Sequence, residues 1–239
     1  MVISTFGDPS VSSVVNQLFS QIGSSMGEED ALGSGNTLQE WTDAVAAATS
    51  TPSGGAVAAL TTALAASLVA MVAGLTTQRE KYAAVHDHAR DTLERAELLR
   101  ADLLDIATLD AVAVAEFMDA LHLPQGTEFE RTAREAAKRA ALVEAARVQL
   151  ELLHQASEVA ELAEAMVGSG LATAIGDAAS AGLLAAATSR SAYWSIRSNL
   201  KAARWPEEAR MMIDSAWFAL EQVEAAEHRV QRLLEERIG

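Results

Sequence analysis

The chain of 239 residues contains no cysteine, and this absence excludes disulfide bonds, thiol nucleophiles and thiolate metal sites. It also contains only four prolines, and aromatic residues make up 5% of the sequence. Alanine and leucine are abundant instead, which is typical of closely packed helices. No segment shows the alternation of apolar and polar residues that indicates a strand. We therefore predict an all-α fold, and the lack of cysteine fits the cytoplasmic location that we expect.

Positive charge is scarce as well. The formal net charge is −15, and the first 78 residues contain no lysine or arginine. A surface with this charge repels phosphate backbones and anionic lipids, so we expect neither nucleic acid nor a membrane as a partner. Residues 44–78 carry no charge and are long enough to span a bilayer, but their alanine, threonine, serine and glycine content favours a buried core helix.

Residues 1–36 look separate from the rest of the chain. Asp8-Pro9 is a typical helix start, and apolar residues at helical spacing follow it over 11–22. Gly23 to Asn36 then has the composition of a flexible linker. Two interpretations stay open: the helix docks on its own bundle or on another subunit, or residues 8–22 are a docking peptide for a different protein.

Residues 37–239 read as a series of long helices joined by short breaks. The predicted helices span about 37–48, 54–77, 80–121, 127–167, 173–203 and 206 to the C-terminus. Long helices with short connections pack antiparallel, so the sequence predicts a bundle of about five long helices. The uncharged helix has no polar face, and a helix of this kind belongs inside something larger, which favours a homo-oligomer.

Two carboxylates fall where apolar residues are expected. Asp110 lies on the buried seam between Ile106 and Ala113, and Asp177 is the only charged residue between Glu164 and Arg190. A carboxylate turned towards an apolar interior is a candidate general acid or base. The alternatives are that Asp177 stabilises a helix start, and that Asp110 is solvated or paired with a neighbouring helix.

The turn at Ser53-Gly54-Gly55 precedes the uncharged helix. Free backbone N–H groups at such a helix start can hold an anion, although glycine pairs also serve as plain tight turns. The five histidines have no metal-ligand spacing, so we predict no metal site. Four basic residues follow Asp177 along the chain and are candidates for contacting an anionic ligand: Arg190, Arg197, Lys201 and Arg204.

Several segments of the chain share a pattern with one protein family. They are Thr51 to Leu60, Leu75-Thr76, Lys81-Tyr82, Asp110-Ala111, Leu121 to Pro124, Gly176 to Leu184 and Ser198 to Lys201. Together they resemble the formimidoyltetrahydrofolate cyclodeaminases and the related methenyltetrahydrofolate cyclohydrolases. The resemblance covers roughly residues 37–237 and is most specific at the glycine turn and around Asp177.

This resemblance implies a dimeric five-helix bundle that takes a tetrahydrofolate derivative as substrate and holds no tightly bound cofactor. It implies that Asp177 and Asp110 transfer protons or anchor the pterin, and that backbone donors come from Ser53, Gly54 and Gly55. Lys81, Arg197 and Asn199 are implied as ligand contacts. We expect Asp177 to lie at the mouth of a cleft near the Gly54-Gly55 turn, with little water around it.

Two chemistries are compatible with the resemblance. A cyclodeaminase closes a formimino group and expels ammonia, whereas a cyclohydrolase adds water to a methenyl bridge. The chain departs from the family pattern at Ser53, Gly176 and Val114. These departures motivate a second hypothesis, in which the chain is a catalytically silent helical scaffold that recruits a partner through its N-terminal helix.

Overall fold

The computed structural model describes residue 32 and residues 35–238, and helices dominate that range, which holds no strand. Six α-helices are described: α1 Leu38–Ala46, α2 Gly54–Thr77, α3 His86–His122, α4 Glu128–Ser169, α5 Ile175–Ala202 and α6 Ala209–Ile238. Two 3₁₀ segments precede α3 and α5, at Glu80–Val85 and Ala172–Ala174. The predicted all-α class is confirmed, while the predicted N-terminal helix over 8–22 lies outside the described residues.

The helices α2 and α5 pack side by side in opposite directions. Near their middles, the Thr62 hydroxyl donates a hydrogen bond to the Thr188 hydroxyl at 2.8 Å. At the C-terminal end of α2, the backbone N–H of Leu171 donates to the Thr76 hydroxyl at 3.0 Å, just before α5 begins. The start of α2 therefore lies beside the C-terminal part of α5, and the end of α2 lies beside the start of α5.

The uncharged helix α2 sits between α3 and α5, and its inward side is mostly alanine. Small side chains let neighbouring helices approach closely, which suits an interior position. Among the described helices it is the one long and apolar enough to cross a membrane by length and composition. More than half of its residues are buried inside the bundle, which agrees with the prediction of a core helix.

One predicted helix begins later than expected. The sequence suggested a single helix over 80–121, but Glu80–Val85 is a 3₁₀ segment and α3 starts at His86. The cause lies at Tyr82, whose backbone is not helical and whose hydroxyl accepts a hydrogen bond from the Ala172 N–H at 3.0 Å. This contact ties the segment before α3 to the loop before α5.

The helix α5 ends in a left-handed turn without glycine. The Trp205 N–H donates to the Leu200 carbonyl at 2.9 Å and the Arg204 N–H donates to the Lys201 carbonyl at 3.0 Å, which is the Schellman pattern. Arg204 has a φ of 63° and Trp205 a φ of 55°. Side chains with a Cβ pay a steric cost in this region, so the turn is a source of strain.

Replacing Arg204 by glycine is expected to raise the free energy of unfolding by about 1 kcal/mol, because glycine adopts this conformation without the Cβ clash. Urea unfolding followed by circular dichroism measures the change. Arg204→Ala is the matched control, because it removes the same side chain and keeps the Cβ. An equal gain in both variants would assign the effect to the lost side chain rather than to the backbone.

Candidate active site

Asp110 is buried in the middle of α3 and faces the start of α2, where it accepts three hydrogen bonds. Its side chain is 4% exposed. One carboxylate oxygen accepts from the Ser53 hydroxyl at 2.5 Å and from the Ala56 N–H at 2.9 Å. The other oxygen accepts from the Gln149 side-chain amide at 2.7 Å. The buried charge is thus balanced by donors from two other helices, as a buried carboxylate requires.

The sequence around Ser53 explains why α2 begins there. Ser53 has an extended backbone and caps the helix, because its hydroxyl oxygen accepts from the Gly55 N–H at 3.1 Å. The Ser53 hydroxyl in turn donates a hydrogen bond to the Asp110 carboxylate. Asp110 supplies the negative charge that the first turn of α2 lacks and that a helix N-terminus favours.

This arrangement changes the expectation of an anion site at Ser53, Gly54 and Gly55. The amides of Gly55 and Ala56 already donate to the chain's own oxygens. Gly54 differs, since it is exposed and has nothing within 4 Å of the position that a Cβ would take. An approaching ligand therefore meets Gly54 and the half-buried Ser53, with a carboxylate directly behind them.

Gly55 is required by the closeness of this packing. A Cβ built on Gly55 would lie 2.1 Å from a carboxylate oxygen of Asp110 and 2.1 Å from the amide nitrogen of Gln149. Neither atom can move far, because both are buried and hydrogen-bonded to each other. The second glycine of the turn thus makes room for the Asp110 network.

Gln149 belongs to this network and was not singled out in the sequence. It is 1% exposed on α4, and its side-chain oxygen has no hydrogen-bond partner in the described part of the chain. The signal in the sequence was a polar residue on the seam formed by Ala146, Leu153 and Ala156. Amide side chains on apolar seams deserve the same scrutiny as carboxylates, because a buried polar group needs a partner.

One acidic group on the same helix as Asp110 has a changed proton affinity. Burial raises the pKa of Glu116 on α3, and the negative charge of Glu144 on α4 raises it further. The three donors to Asp110 are neutral groups, so none of them cancels its negative charge. A carboxylate held in this way favours a ligand with a positively charged portion.

Asp177 lies at the other end of the bundle. It is exposed, in the first turn of α5. The prediction that it lies near Gly54-Gly55 with little water around it is wrong for the isolated chain. The reason is the antiparallel packing of α2 and α5, which places the start of α5 beside the end of α2. At 1.5 Å per residue, the length of α2 separates the two levels by about 30 Å.

The remaining predicted residues divide between the two ends. Lys81 is exposed in the 3₁₀ segment next to Tyr82, which is bonded to Ala172, so it lies at the Asp177 end. Thr62 and Thr188 are bonded side by side in the antiparallel helices α2 and α5. Ser53 precedes Thr62 by the same number of residues by which Arg197 follows Thr188, so Ser53 and Arg197 lie at the same level. Arg197 is therefore at the Asp110 end. Asn199, which is half-buried, lies at that end as well.

Arg197 packs against two aromatic rings and makes no salt bridge with a carboxylate of the described residues. Its guanidinium carbon lies 5.3 Å from the centre of the Trp194 ring and 5.7 Å from that of Tyr193. A nitrogen donates to the Tyr193 hydroxyl at 3.4 Å. Trp194 is 64% exposed, so the group offers a cation and a flat apolar surface to a ligand.

We define the Asp110 cluster as Ser53, Gly54, Gly55, Asp110 and Gln149, and the Asp177 cluster as Lys81, Tyr82 and Asp177. The fold and these clusters define a class of protein: an antiparallel helical bundle with a polar network at the start of an uncharged core helix. The Asp110 cluster is held by a bond between α3 and α4, and the Tyr82–Ala172 bond joins the segment before α3 to the loop before α5.

Comparison with known proteins identifies the family. The family model described as Formiminotransferase-cyclodeaminase matches residues 37–215, and the chain belongs to this family. It is 36% identical over 165 residues to the methenyltetrahydrofolate cyclohydrolase of Methylorubrum extorquens, a match that covers 69% of this chain and 79% of that protein. The resemblance recognised in the sequence is thereby confirmed.

Two further relatives are similar to the chain. The formimidoyltransferase-cyclodeaminase of Mus musculus is 29% identical over 169 residues, which cover 69% of this chain and 30% of the mouse protein. The crystal structure of formiminotetrahydrofolate cyclodeaminase from Thermotoga maritima has a TM-score of 0.76 and 27% identity. That alignment covers 85% of this chain and 98% of the other, so the helical bundle is shared almost throughout.

Proposed function

We propose that the chain is a tetrahydrofolate one-carbon enzyme and that, of the two chemistries open to its family, it acts as a methenyltetrahydrofolate cyclohydrolase. The family match supports the substrate class. Identity to the bacterial cyclohydrolase, at 36%, exceeds the 29% and 27% found with the two cyclodeaminases. No described feature favours the silent scaffold, whose proposed docking helix lies outside the described residues.

The observation that carries this proposal is the buried carboxylate of Asp110 behind an open glycine turn. The one-carbon bridge of a methenyl folate is an amidinium, and its positive charge is shared between two nitrogens. A carboxylate held in a low-dielectric interior attracts such a cation more strongly than one in water. Ser53 and Gly54 form the surface between this charge and the ligand, so we assign Asp110 the role of holding the cationic bridge in place.

A different group has to move protons, because both oxygens of Asp110 already accept hydrogen bonds from the chain. Water adds its oxygen to the bridge carbon and loses a proton. The bond from that carbon to one nitrogen then breaks, the nitrogen takes up a proton, and the added hydroxyl loses its own proton. The products are a neutral formyl folate and one released proton. Asp177 is exposed, and we assign it as the general acid–base. Because it lies about 30 Å from Asp110 along the bundle, this assignment takes Asp177 from the second chain of the dimer that the family resemblance implies.

The anionic tail of the folate needs a cation rather than the start of α2, where Asp110 already provides negative charge. Arg197 is the candidate at the Asp110 end, because it packs against two rings and, within the part of the chain that the structure describes, forms no ion pair. Lys81 is the candidate at the Asp177 end, where it is exposed. Asn199 adds a neutral hydrogen-bonding side chain at the same end of α5.

Turnover of both folates tests the proposal directly. The purified chain is expected to accelerate the loss of methenyl-folate absorbance, and to release ammonia from formimino-folate far more slowly. Buffer without protein gives the uncatalysed rate of each reaction. Faster ammonia release than methenyl hydrolysis would identify a cyclodeaminase instead, and a lack of acceleration of either reaction would overturn the enzymatic proposal.

A further inference from the structure

Two backbone carbonyls at the end of α4 lose their helical partners. A continuing helix would bond the Leu171 N–H to the Val167 carbonyl, but this N–H donates to the Thr76 hydroxyl at 3.0 Å. It would likewise bond the Ala174 N–H to the Gly170 carbonyl, but that N–H donates to the Leu171 carbonyl at 2.9 Å. Val167 and Gly170 are both buried, so their carbonyls need other donors.

Arg237 on α6 supplies these donors. One nitrogen of its guanidinium group donates to the Val167 carbonyl, and another donates to the Gly170 carbonyl at 3.1 Å. The side chain thus takes the place of two backbone amides at the end of α4, and its positive charge meets the negative end of that helix. The family match ends at residue 215, so the family pattern gives no role to Arg237.

The spacing of residues along α6 explains why Arg237 reaches this point. Arg229, Leu233 and Arg237 follow one another at four-residue intervals, which puts them on one face of the helix. Arg229 donates to the Glu164 carboxylate on α4 at 2.6 Å. A Cβ built on Gly168 of α4 would lie 3.8 Å from a methyl carbon of Leu233, which is ordinary packing distance. The ends of α4 and α6 therefore pack together turn by turn, and Arg237 is the last contact of this series.

The segment that Arg237 holds leads directly to Asp177. We call residues 170–174, which connect α4 to α5, the α4–α5 loop. The Ala172 N–H of this loop donates to the hydroxyl of Tyr82, the tyrosine of the Asp177 cluster. Asp177 itself lies in the first turn of α5, immediately after the loop. Because a helix is rigid, the position of the loop determines where the first turn of α5 and its carboxylate lie.

We propose that Arg237 is a positioning residue for the folate reaction: it fixes the α4–α5 loop, and the loop fixes Asp177 and Tyr82 relative to each other. The proposal rests on the proposed function, because it takes Asp177 as the general acid–base. Arg237 touches no ligand and acts through the loop alone. Its effect on the rate is nevertheless large, because a catalytic group misplaced by about 1 Å loses about 100-fold in rate.

Arg237→Gln tests this role, and because Arg237 is exposed the substitution leaves the core intact. We expect kcat for methenyl folate to fall about 10-fold or more and KM to change less than about threefold, because the Asp110 cluster is at the other end of the bundle. Arg237→Lys keeps a charged donor for the carbonyls and should recover part of kcat. Hydrogen–deuterium exchange should become faster at the amides of Leu171 and Ala172 in Arg237→Gln, because the loop is held less firmly.

Arg229→Gln is the matched control, because it breaks a bond between the same two helices without touching the loop. It should lower the urea midpoint about as much as Arg237→Gln does and leave kcat unchanged. Equal losses of kcat in the two variants would mean that Arg237 only stabilises the bundle, and unchanged exchange at the loop amides would likewise overturn the proposal. If wild-type protein turns over neither folate while exchange at the loop rises in Arg237→Gln, the proposed function fails and the hold of Arg237 on the loop stands.

Discussion

Gly55→Ala is expected to lower the free energy of unfolding by about 3 kcal/mol, at the upper end of what overpacking costs in a well-packed core. The added methyl carbon would lie 2.1 Å from both Asp110 and Gln149, so one of these buried groups has to leave its position. Each group that moves breaks a hydrogen bond of a buried charge, which adds to the cost. Urea unfolding followed by circular dichroism measures the effect.

Gly54→Ala is the matched control for this prediction. It makes the same chemical change one residue earlier, where a Cβ has nothing within 4 Å. We expect its stability to be unchanged or slightly higher, because alanine favours helix more than glycine does. A loss of less than about 1 kcal/mol for Gly55→Ala, close to that of Gly54→Ala, would contradict this prediction. It would mean that the side chains of the Asp110 network can move apart to admit a methyl group at little cost.

Asp177→Asn is expected to reduce kcat for the folate reaction at least about 100-fold while leaving stability unchanged, because a general acid–base contributes 10²- to 10⁴-fold. Its exposure in the first turn of α5 means that few contacts are lost on substitution. Steady-state kinetics and urea unfolding of the same samples separate the two effects.

Glu128→Gln is the control for the loss of an acid at a helix start, since Glu128 is an exposed first-turn acid of α4. It should leave kcat unchanged and alter stability as little as Asp177→Asn does. Unchanged turnover in Asp177→Asn would refute its assignment. A large stability loss in that variant would point to helix stabilisation as its main role.

Asp110→Asn completes this comparison, because it removes the charge and nearly preserves the shape. The Gln149 amide can turn over to present its partnerless oxygen to the new nitrogen, so we expect a stability loss of only about 1 kcal/mol. Binding of the cationic methenyl folate should weaken at least about 30-fold, and binding of the neutral formyl product much less. Equal weakening of both ligands would argue against a role for the charge.

The sequence was sufficient for much of the fold. Helix starts at Thr37 and Thr127 were predicted from their capping boxes, and both boxes are present. The position of Asp110 between Ile106 and Ala113 predicted a buried carboxylate, and it is buried. These features are local, so spacing along one helix is enough to reveal them.

Features that depend on how helices pair were not predictable in the same way. The partnership of Asp110 with Gln149 and the distance between Asp110 and Asp177 follow from tertiary packing, which periodicity in one helix does not encode. The resemblance to the family named Asp110 and Asp177 together without giving the distance between them. The placement of Asp177 next to Gly54 was expected from that resemblance, and the antiparallel packing of α2 and α5 makes it wrong within one chain.

The hydrogen bonds at both ends of α2 also set a length scale. With Ala56 anchored to Asp110 and Thr76 anchored to Leu171, the helix cannot slide along its axis. The spacing between the two clusters of a chain is therefore set by the number of residues in α2. One residue added to or removed from α2 would shift the far end by about 1.5 Å and swing it by about 100°. We infer that this helix tolerates changes of side chain far better than changes of length.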